Sequence, residues 1–536
     1  MRQKKKKSED GEAQEKEKDE KRSPQEEIMV RFRRTIINVS IAVVLALGLV
    51  SAAREIGGAA SKYWSLPSGR MFLGGIFRQG HFSKALAHFT MGVIYDNEGK
   101  FEKAIEEYKK SLAHDPAVGS VRTRLALDYM MTKNEDGALA ELEKAKSADP
   151  ADMKAHFLSA LVYTSSNKFD LAQRECEEMV RIDPESIWAL SSLADVFVLQ
   201  EKMNDAAGIY EKLLEKEESA LVSFNLGVIY SKIGRIDEAI EKLGEASRID
   251  PEYLEAHVGL GVLYESRGDF KNAIASFEKA LKTAPLNVKI YQYLGSLYRK
   301  SALRGDAIRQ YEMIIGLDPQ NTAAYLEWAD LYIKEGSPAE AITVLDRALA
   351  AGVEDAAVYL GLGYSQALAG NTAQALKYYN TAMEIDPDKA AVRFYIGALY
   401  EKMGQKQRAI KELREAIKLD PSYADAYNYL GYMFAEDGAN LDEAVVLIKK
   451  ALSLEPGNGS YIDSLGWAYY KKGMYKEALA ELERASSAGG VDPVVQDHLG
   501  DAYFKNGLGA KARAAWEKSL ELDPAREDVR EKLRTR

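Results

Sequence analysis

The sequence repeats itself every 34 residues over most of its length, and this periodicity constrains the fold more than any other feature. An Asp-Pro pair or a close variant recurs at intervals of 34, or of 67–68 where one proline is missing, from Pro116 onward. Placing this proline at position 32 divides residues 85–526 into thirteen repeats. The 536 residues would allow several separate domains, but thirteen copies in one register favour a single repeat array.

Four positions of the repeat accept few residue types. Position 20 is Ala and position 8 is Gly or Ala in all thirteen repeats, position 11 is Tyr or Phe in twelve, and position 15 is Gly in nine. Apolar residues at helical spacing predict two helices per repeat, and Gly at position 15 marks the end of the first. The small residues predict a close helix–helix contact. A larger side chain at Ala307 (position 20) should overpack it, whereas Ala348 (position 27) is expected to be looser.

This pattern of small residues at positions 8 and 20, an aromatic residue at 11 and proline at 32 resembles the tetratricopeptide repeat (TPR) family over residues 85–526. The resemblance implies an all-α fold, a right-handed superhelical solenoid of about thirteen TPR helix pairs. The first helix of each pair would line a concave face that binds proteins or peptides. Residues 527–536 are polar, as expected of a C-terminal cap.

The N-terminal part of the chain has a different composition. Residues 1–34 are mostly charged and predict a disordered tail. Residues 35–53 are assigned as a transmembrane signal anchor, because the 18 residues from Ile36 to Ala53 carry no charge and reach about 27 Å as a helix. Residues 54–84 form a spacer or a degenerate repeat. Cleavage of the apolar segment near Ala53, or its burial in a soluble fold, remain alternatives.

Charge flanking the predicted span indicates its orientation. Arg31, Arg33 and Arg34 precede it, whereas Arg54 is the only close basic residue that follows. The positive-inside rule therefore places the tail in the cytoplasm and the repeats outside it. An anchor followed by such an array looks like bacterial envelope proteins of the TPR family, so we expect a single-pass protein of the bacterial inner membrane with its repeats in the periplasm.

Composition excludes several classes of function. The net charge is −10, and because residues 1–34 contribute +3, the rest of the chain carries −13, which argues against nucleic-acid binding. The single cysteine, Cys176, excludes an internal disulfide framework. No catalytic, cofactor-binding or metal-binding motif is found in the sequence. We therefore expect a protein that is not an enzyme.

One known TPR function is also disfavoured. Chaperone-binding members hold the C-terminal EEVD peptide with a clamp of Lys and Asn at fixed positions of three successive repeats. Asn225 occupies one of these positions, but the preceding repeat offers Ser191 and Asp195, and the following repeat offers Glu255 and Gly259. The clamp is therefore incomplete in every triplet of repeats.

The ninth to twelfth repeats carry extra aromatic residues at positions 2, 5, 6, 9, 12 and 13, which should face the groove. They are Tyr364, Phe394, Tyr395, Tyr429, Tyr432, Trp467 and Tyr470. Such residues are typical of peptide- or helix-binding grooves, although they would also serve to pack adjacent first helices. Asp463, Asp497 and Asp501 lie beside them and would favour a basic partner.

The most consistent prediction is a non-enzymatic, membrane-anchored scaffold that supports assembly of a cell-envelope complex. Two alternatives remain: an organelle-surface receptor with cytosolic repeats, and a subunit that recruits an envelope enzyme or secretion complex. The sequence does not identify the partner, and it does not indicate whether the chain forms homo-oligomers.

Overall fold

The computed structural model describes residues 74–116, 118–488 and 492–535. Within these ranges the chain forms 27 helices and no strand, which confirms the all-α prediction. The predicted tail, the predicted span and residues 54–73 of the predicted spacer lie outside the described residues. None of the helices in the described ranges is long and apolar enough to cross a membrane.

The described helices belong to two compact units, which divide between Ser301 and Ala302. The helices of the first unit are α1 Gly74–Asn97, α2 Phe101–His114, α3 Gly119–Met131, α4 Glu135–Ala148, α5 Met153–Ser165, α6 Phe169–Ile182, α7 Ile187–Leu199, α8 Met203–Lys216, α9 Ala220–Lys232, α10 Ile236–Ile249, α11 Leu254–Ser266, α12 Phe270–Thr283 and α13 Val288–Lys300.

The helices of the second unit are α14 Arg304–Leu317, α15 Thr322–Lys334, α16 Pro338–Ala350, α17 Ala356–Leu368, α18 Thr372–Ile385, α19 Ala390–Lys402, α20 Lys406–Leu419, α21 Ala424–Asp437, α22 Leu441–Leu454, α23 Gly459–Lys471, α24 Tyr475–Ala488, α25 Pro493–Lys505, α26 Gly509–Leu522 and α27 Glu527–Thr535. From α1 to α26, first and second helices of the 34-residue repeat alternate. Helix α1 begins eleven residues before the first predicted repeat, and α27 follows the last.

The thirteen alanines at position 20 all lie on second helices of the repeats. Every one of them, Ala307 included, is fully buried, with 0% of its surface exposed, and the cost of a larger side chain at Ala307 stays a prediction. The expectation for Ala348 is wrong, because it is also 0% exposed. In the second helix, position 27 lies seven residues beyond position 20. That spacing places both on the same face, so both are covered.

Glycine at position 8 makes room for the side chain at position 24 of the same repeat. A Cβ atom built on Gly261 would lie 2.6–2.8 Å from three ring atoms of Phe277, and one built on Gly363 would lie 2.4 Å from the ring of Tyr379. Carbon atoms in contact are normally about 3.5–4.0 Å apart. The first and second helices therefore approach so closely that a large side chain cannot occupy position 8.

Position 15 ends the first helix with a left-handed residue in every repeat. Nine of these residues are glycines, such as Gly234 with φ 82°. The other four are Lys133, Asn167, Glu201 and Ala302, with φ between 56° and 62°. Glycine adopts this conformation without strain, whereas a residue with a Cβ atom does not.

We expect Glu201→Gly to stabilise the first unit by about 1 kcal/mol, because it removes left-handed strain at a turn that already has this geometry. Chemical denaturation of the full chain measures the change. The reciprocal substitution, Gly234→Glu, should destabilise by a similar amount. A loss of stability in Glu201→Gly, or no change in either variant, would show that a side chain at this turn causes no strain.

Candidate functional site

The seven predicted aromatic residues all lie on first helices of the second unit. We call them the aromatic strip: Tyr364 on α17, Phe394 and Tyr395 on α19, Tyr429 and Tyr432 on α21, and Trp467 and Tyr470 on α23. Six of them are half-buried, and Trp467 is buried with 9% of its surface exposed. First helices of successive repeats also contact each other in this part of the chain, as α21 and α23 do. The strip therefore continues from one first helix to the next.

The first part of the strip is a series of ring contacts across three helices. The rings of Tyr364 and Tyr395 are 5.3 Å apart, those of Phe394 and Tyr395 are 5.2 Å apart, and those of Phe394 and Tyr429 are 5.5 Å apart, measured between centroids. The last two pairs meet edge to face, an arrangement that aromatic rings prefer. Part of each ring is thus used to pack neighbouring helices, as one of the two interpretations expected.

The second part of the strip centres on Trp467. Its ring stacks on Tyr470 at 4.9 Å and on His498 of α25 at 4.0 Å. Its indole Nε1 donates a hydrogen bond of 2.5 Å to Glu436, which also accepts a bond of 3.1 Å from the hydroxyl of Tyr432. Glu436 therefore joins the aromatic residues of α21 and α23, and the Trp467 ring stacks on two other rings.

The acidic residues beside the strip are engaged within the chain. Asp463 lies 3.1 Å from Nδ1 of His498. Asp497 is only 4% exposed and accepts hydrogen bonds of 2.8 Å from Arg526 and 2.6 Å from Lys532. Lys532 also donates a bond of 2.8 Å to the buried Asp501. These carboxylates are thus paired with cations of the C-terminal segment or with a histidine.

The polar groups of the strip serve as hydrogen-bonding groups and not as acids or nucleophiles. Burial, together with the nearby carboxylate of Glu401, raises the pKa of Tyr429 to about 12. Burial and Glu436 likewise raise the pKa of Tyr432. Both phenols stay protonated at neutral pH, and each donates its one hydrogen bond within the chain, Tyr429 to Glu401 at 3.3 Å and Tyr432 to Glu436 at 3.1 Å.

Two features of the described residues outside the strip bear on reactivity, the buried thiol of Cys176 and the distribution of metal-ligating side chains. Burial raises the pKa of the Cys176 thiol to about 12, so the thiolate form that reacts is not populated at neutral pH. Among the residues that the structure describes, no group of three or more His, Cys, Asp and Glu side chains could hold a metal ion. The surface with the most distinctive composition is the aromatic strip.

Sequence reasoning missed three residues that belong to this surface: Glu436, Lys471 and His498. Lys471 lies 5.0 Å from the centroid of the Trp467 ring, and its Nζ donates a bond of 3.2 Å to the Glu436 carbonyl. All three occupy positions 6 or 13 of their repeats, which were already expected to face the groove. Examining those positions for polar as well as aromatic residues would have found them.

Several solved structures are similar to this chain. The Cut9–Hcn1 heterotetramer of the APC/C has 16% identity and a TM-score of 0.42, with 86% of this chain and 98% of that chain covered. Naa15/Naa10 bound to HypK-THB has 16% identity and a TM-score of 0.34, with coverage of 84% and 78%. The C-terminal part of a TPR repeat-containing protein from Cytophaga hutchinsonii has 17% identity and a TM-score of 0.40, with coverage of 44% and 97%.

Family models provide the assignment. Models described as tetratricopeptide repeat match residues 85–118, 191–253, 224–288, 326–390 and 464–527, and a model described as TPR repeat matches residues 402–438. Together they cover more than half of the chain and fall on helix pairs of both units. No curated protein sequence matches the chain. The matched repeats, with their small residues at positions 8 and 20 and their all-helical fold, show that the chain belongs to the tetratricopeptide repeat family.

Proposed function

We propose that this protein is a non-catalytic scaffold that binds other proteins or peptides through the aromatic strip. The observation that carries the proposal is the half-exposed series of rings on successive first helices of the second unit. Aromatic side chains offer a large contact area and a polar edge at a low entropic cost, and they dominate binding energy at protein interfaces.

The chemistry of the strip favours a particular kind of partner. Its exposed groups are aromatic rings and phenolic hydroxyls, whereas Asp463, Asp497 and Asp501 are already paired within the chain. A partner would therefore gain little by presenting basic residues here. We assign the contact to the aromatic residues, and we expect an apolar peptide or an amphipathic helix with a polar edge.

We expect Phe394→Ala/Tyr432→Ala to lose most of the proteins recovered by crosslinking and affinity purification of the full chain from its membranes. Both side chains are half-buried, so folding should be retained. Trp467 is a poor choice for this test, because truncation of a buried tryptophan costs about 3–5 kcal/mol.

Tyr378→Ala is the matched control, since Tyr378 is also half-buried but lies on the second helix α18. It should leave recovery unchanged. Loss of the same partners in both variants would point to a general loss of stability. Retention of all partners by a folded Phe394→Ala/Tyr432→Ala variant would place the binding surface elsewhere.

The proposal extends to location: a single-pass anchor over residues 35–53, a cytoplasmic tail and repeats in the periplasm, where they would support assembly of an envelope complex. The support is the uncharged segment Ile36–Ala53 and the arginines that precede it. We expect alkaline phosphatase fused at Tyr63 to be active, and a fluorescent protein that folds only in the cytosol to be dark. The reverse result would favour an organelle-surface receptor with cytosolic repeats.

A further inference from the structure

The two ends of the repeat array differ in how their outer helices are covered. Positions 7 and 10 of the repeat lie in its first helix. In each of the second to thirteenth repeats, the residues at both positions are buried. Ile396 and Leu399, for example, pack in one cluster with Ala375 and Tyr379 of the preceding second helix. These two positions therefore form the face on which each first helix docks against the repeat before it.

In the first repeat the same face is open in the part of the chain that the structure describes. Its residues at positions 7 and 10 are Met91 and Ile94, which are 39% and 43% exposed. At the other end of the array the chain covers itself. Val529 of α27 is fully buried and packs with Ala512 and Trp516 of the last repeat. Met91 and Ile94 are thus apolar residues at docking positions that the described residues leave exposed at the N-terminal end of the array.

We propose that residues 54–73 of the same chain cover this face of α1. The segment joins α1 directly, and it contains Tyr63, Trp64, Leu66, Met71 and Phe72 but only four charged residues. Along α1, the distance from Gly74 to Ile94 is about 30 Å, and twenty residues reach about 30 Å even when they are entirely helical. The turn-forming sequence Pro67-Ser68-Gly69 would let the segment run back along the helix.

The size of the face also favours this occupant over a second copy of the protein. Helix α1 has 24 residues and is therefore about 36 Å long and about 10 Å wide, so one face offers only about 360 Å². A stable interface between separate chains buries about 800 Å² on each partner. A segment of the same chain needs less area, because its tether already supplies a high effective concentration. The inference concerns the first unit and is independent of the proposed partner site in the second.

Trp64 provides the readout. The chain has five tryptophans, so the fluorescence of Trp64 must be isolated from that of the others. It is the difference between the emission of the full-length wild type, purified in detergent, and that of the Trp64→Phe variant. We expect acrylamide to quench this emission weakly in the wild type and at least about threefold more strongly in Met91→Asp/Ile94→Asp, because a charged face cannot hold an apolar segment. Thr90→Asp adds a charge at an exposed position that does not belong to the face formed by Met91 and Ile94. This control variant should leave the quenching of Trp64 unchanged.

A second measurement guards against a general loss of structure. Trp64→Ser/Leu66→Ser should speed amide hydrogen exchange in residues 84–97 of α1 and leave exchange in α4 unchanged. Equal quenching of Trp64 in the wild type and in Met91→Asp/Ile94→Asp would overturn the proposal. Strong quenching of Trp64 by brominated detergent would also overturn it by placing the segment in the apolar phase. Dissociation of a dimer by Met91→Asp/Ile94→Asp would identify a second copy as the true occupant.

Discussion

Gly261→Val is expected to destabilise the first unit by about 1–3 kcal/mol or more, which is the cost of overpacking a dense interior. The Cβ atom of valine would lie 2.6–2.8 Å from the buried ring of Phe277, and that ring is itself held by stacking on Tyr293 at 4.8 Å. The Phe277 ring is fully buried, with 0% of its surface exposed, so it cannot turn out into solvent to make room. Urea denaturation of the full chain, followed by circular dichroism, measures the loss.

Gly244 is the matched control, because it lies within α10 of the preceding repeat and a Cβ atom there would meet nothing within 4 Å. We expect Gly244→Val to change stability by no more than about 0.5 kcal/mol. Alanine occupies position 8 in four repeats, for instance Ala194 opposite Tyr210, so alanine would be a weaker probe than valine. Similar effects of valine at both glycines would contradict the close approach of the helices.

Arg526→Ala/Lys532→Ala is expected to destabilise the last repeat by about 3–5 kcal/mol, the cost of leaving buried charges without partners. Asp497 and Asp501 are 4% and 5% exposed, and these two cations are 2.6–2.8 Å from their oxygens. Because stability in a repeat array is coupled mainly between neighbours, the loss should appear as faster amide exchange in α25 and α26.

Arg530→Ala/Arg534→Ala removes the same number of positive charges from the same C-terminal segment and serves as the control. Arg530 bonds to Glu527 and to the Pro524 carbonyl, both exposed, so the effect should be small. Adding Asp497→Asn and Asp501→Asn to the Arg526→Ala/Lys532→Ala variant should recover much of the lost stability. An unchanged loss in that background would show that the two cations act through packing and not through charge.

Much of the fold could be predicted because the repeat encodes it locally. Alanine at position 20 and glycine at positions 8 and 15 each meet one steric requirement, and the same requirement recurs about every 34 residues. The prediction for Ala348 failed because alanine is less regular at position 27, and composition alone did not show that this position is fully buried.

The candidate site was predictable in its aromatic residues but not in its charges. Groove positions follow from the helical register, so Tyr429 and Trp467 could be placed on the same face. The pairing of Asp497 with Lys532 could not be predicted, since it joins residues 35 positions apart through a helix that the sequence indicated only as a polar cap. The acidic residues that suggested a basic partner are already engaged within the chain. Asp497 and Asp501 bond to Arg526 or Lys532, and Asp463 lies beside His498.

Site-specific photocrosslinking at Tyr432 tests the central claim most directly. A benzophenone side chain placed there, in the full chain in its native cells, should crosslink to the same small set of proteins in repeated experiments, because the residue is proposed to touch the partner. The same group at Tyr378 should give no such products. Equal crosslinking from the two positions, or partners captured only from Tyr378, would contradict the assignment of the aromatic strip as the binding surface.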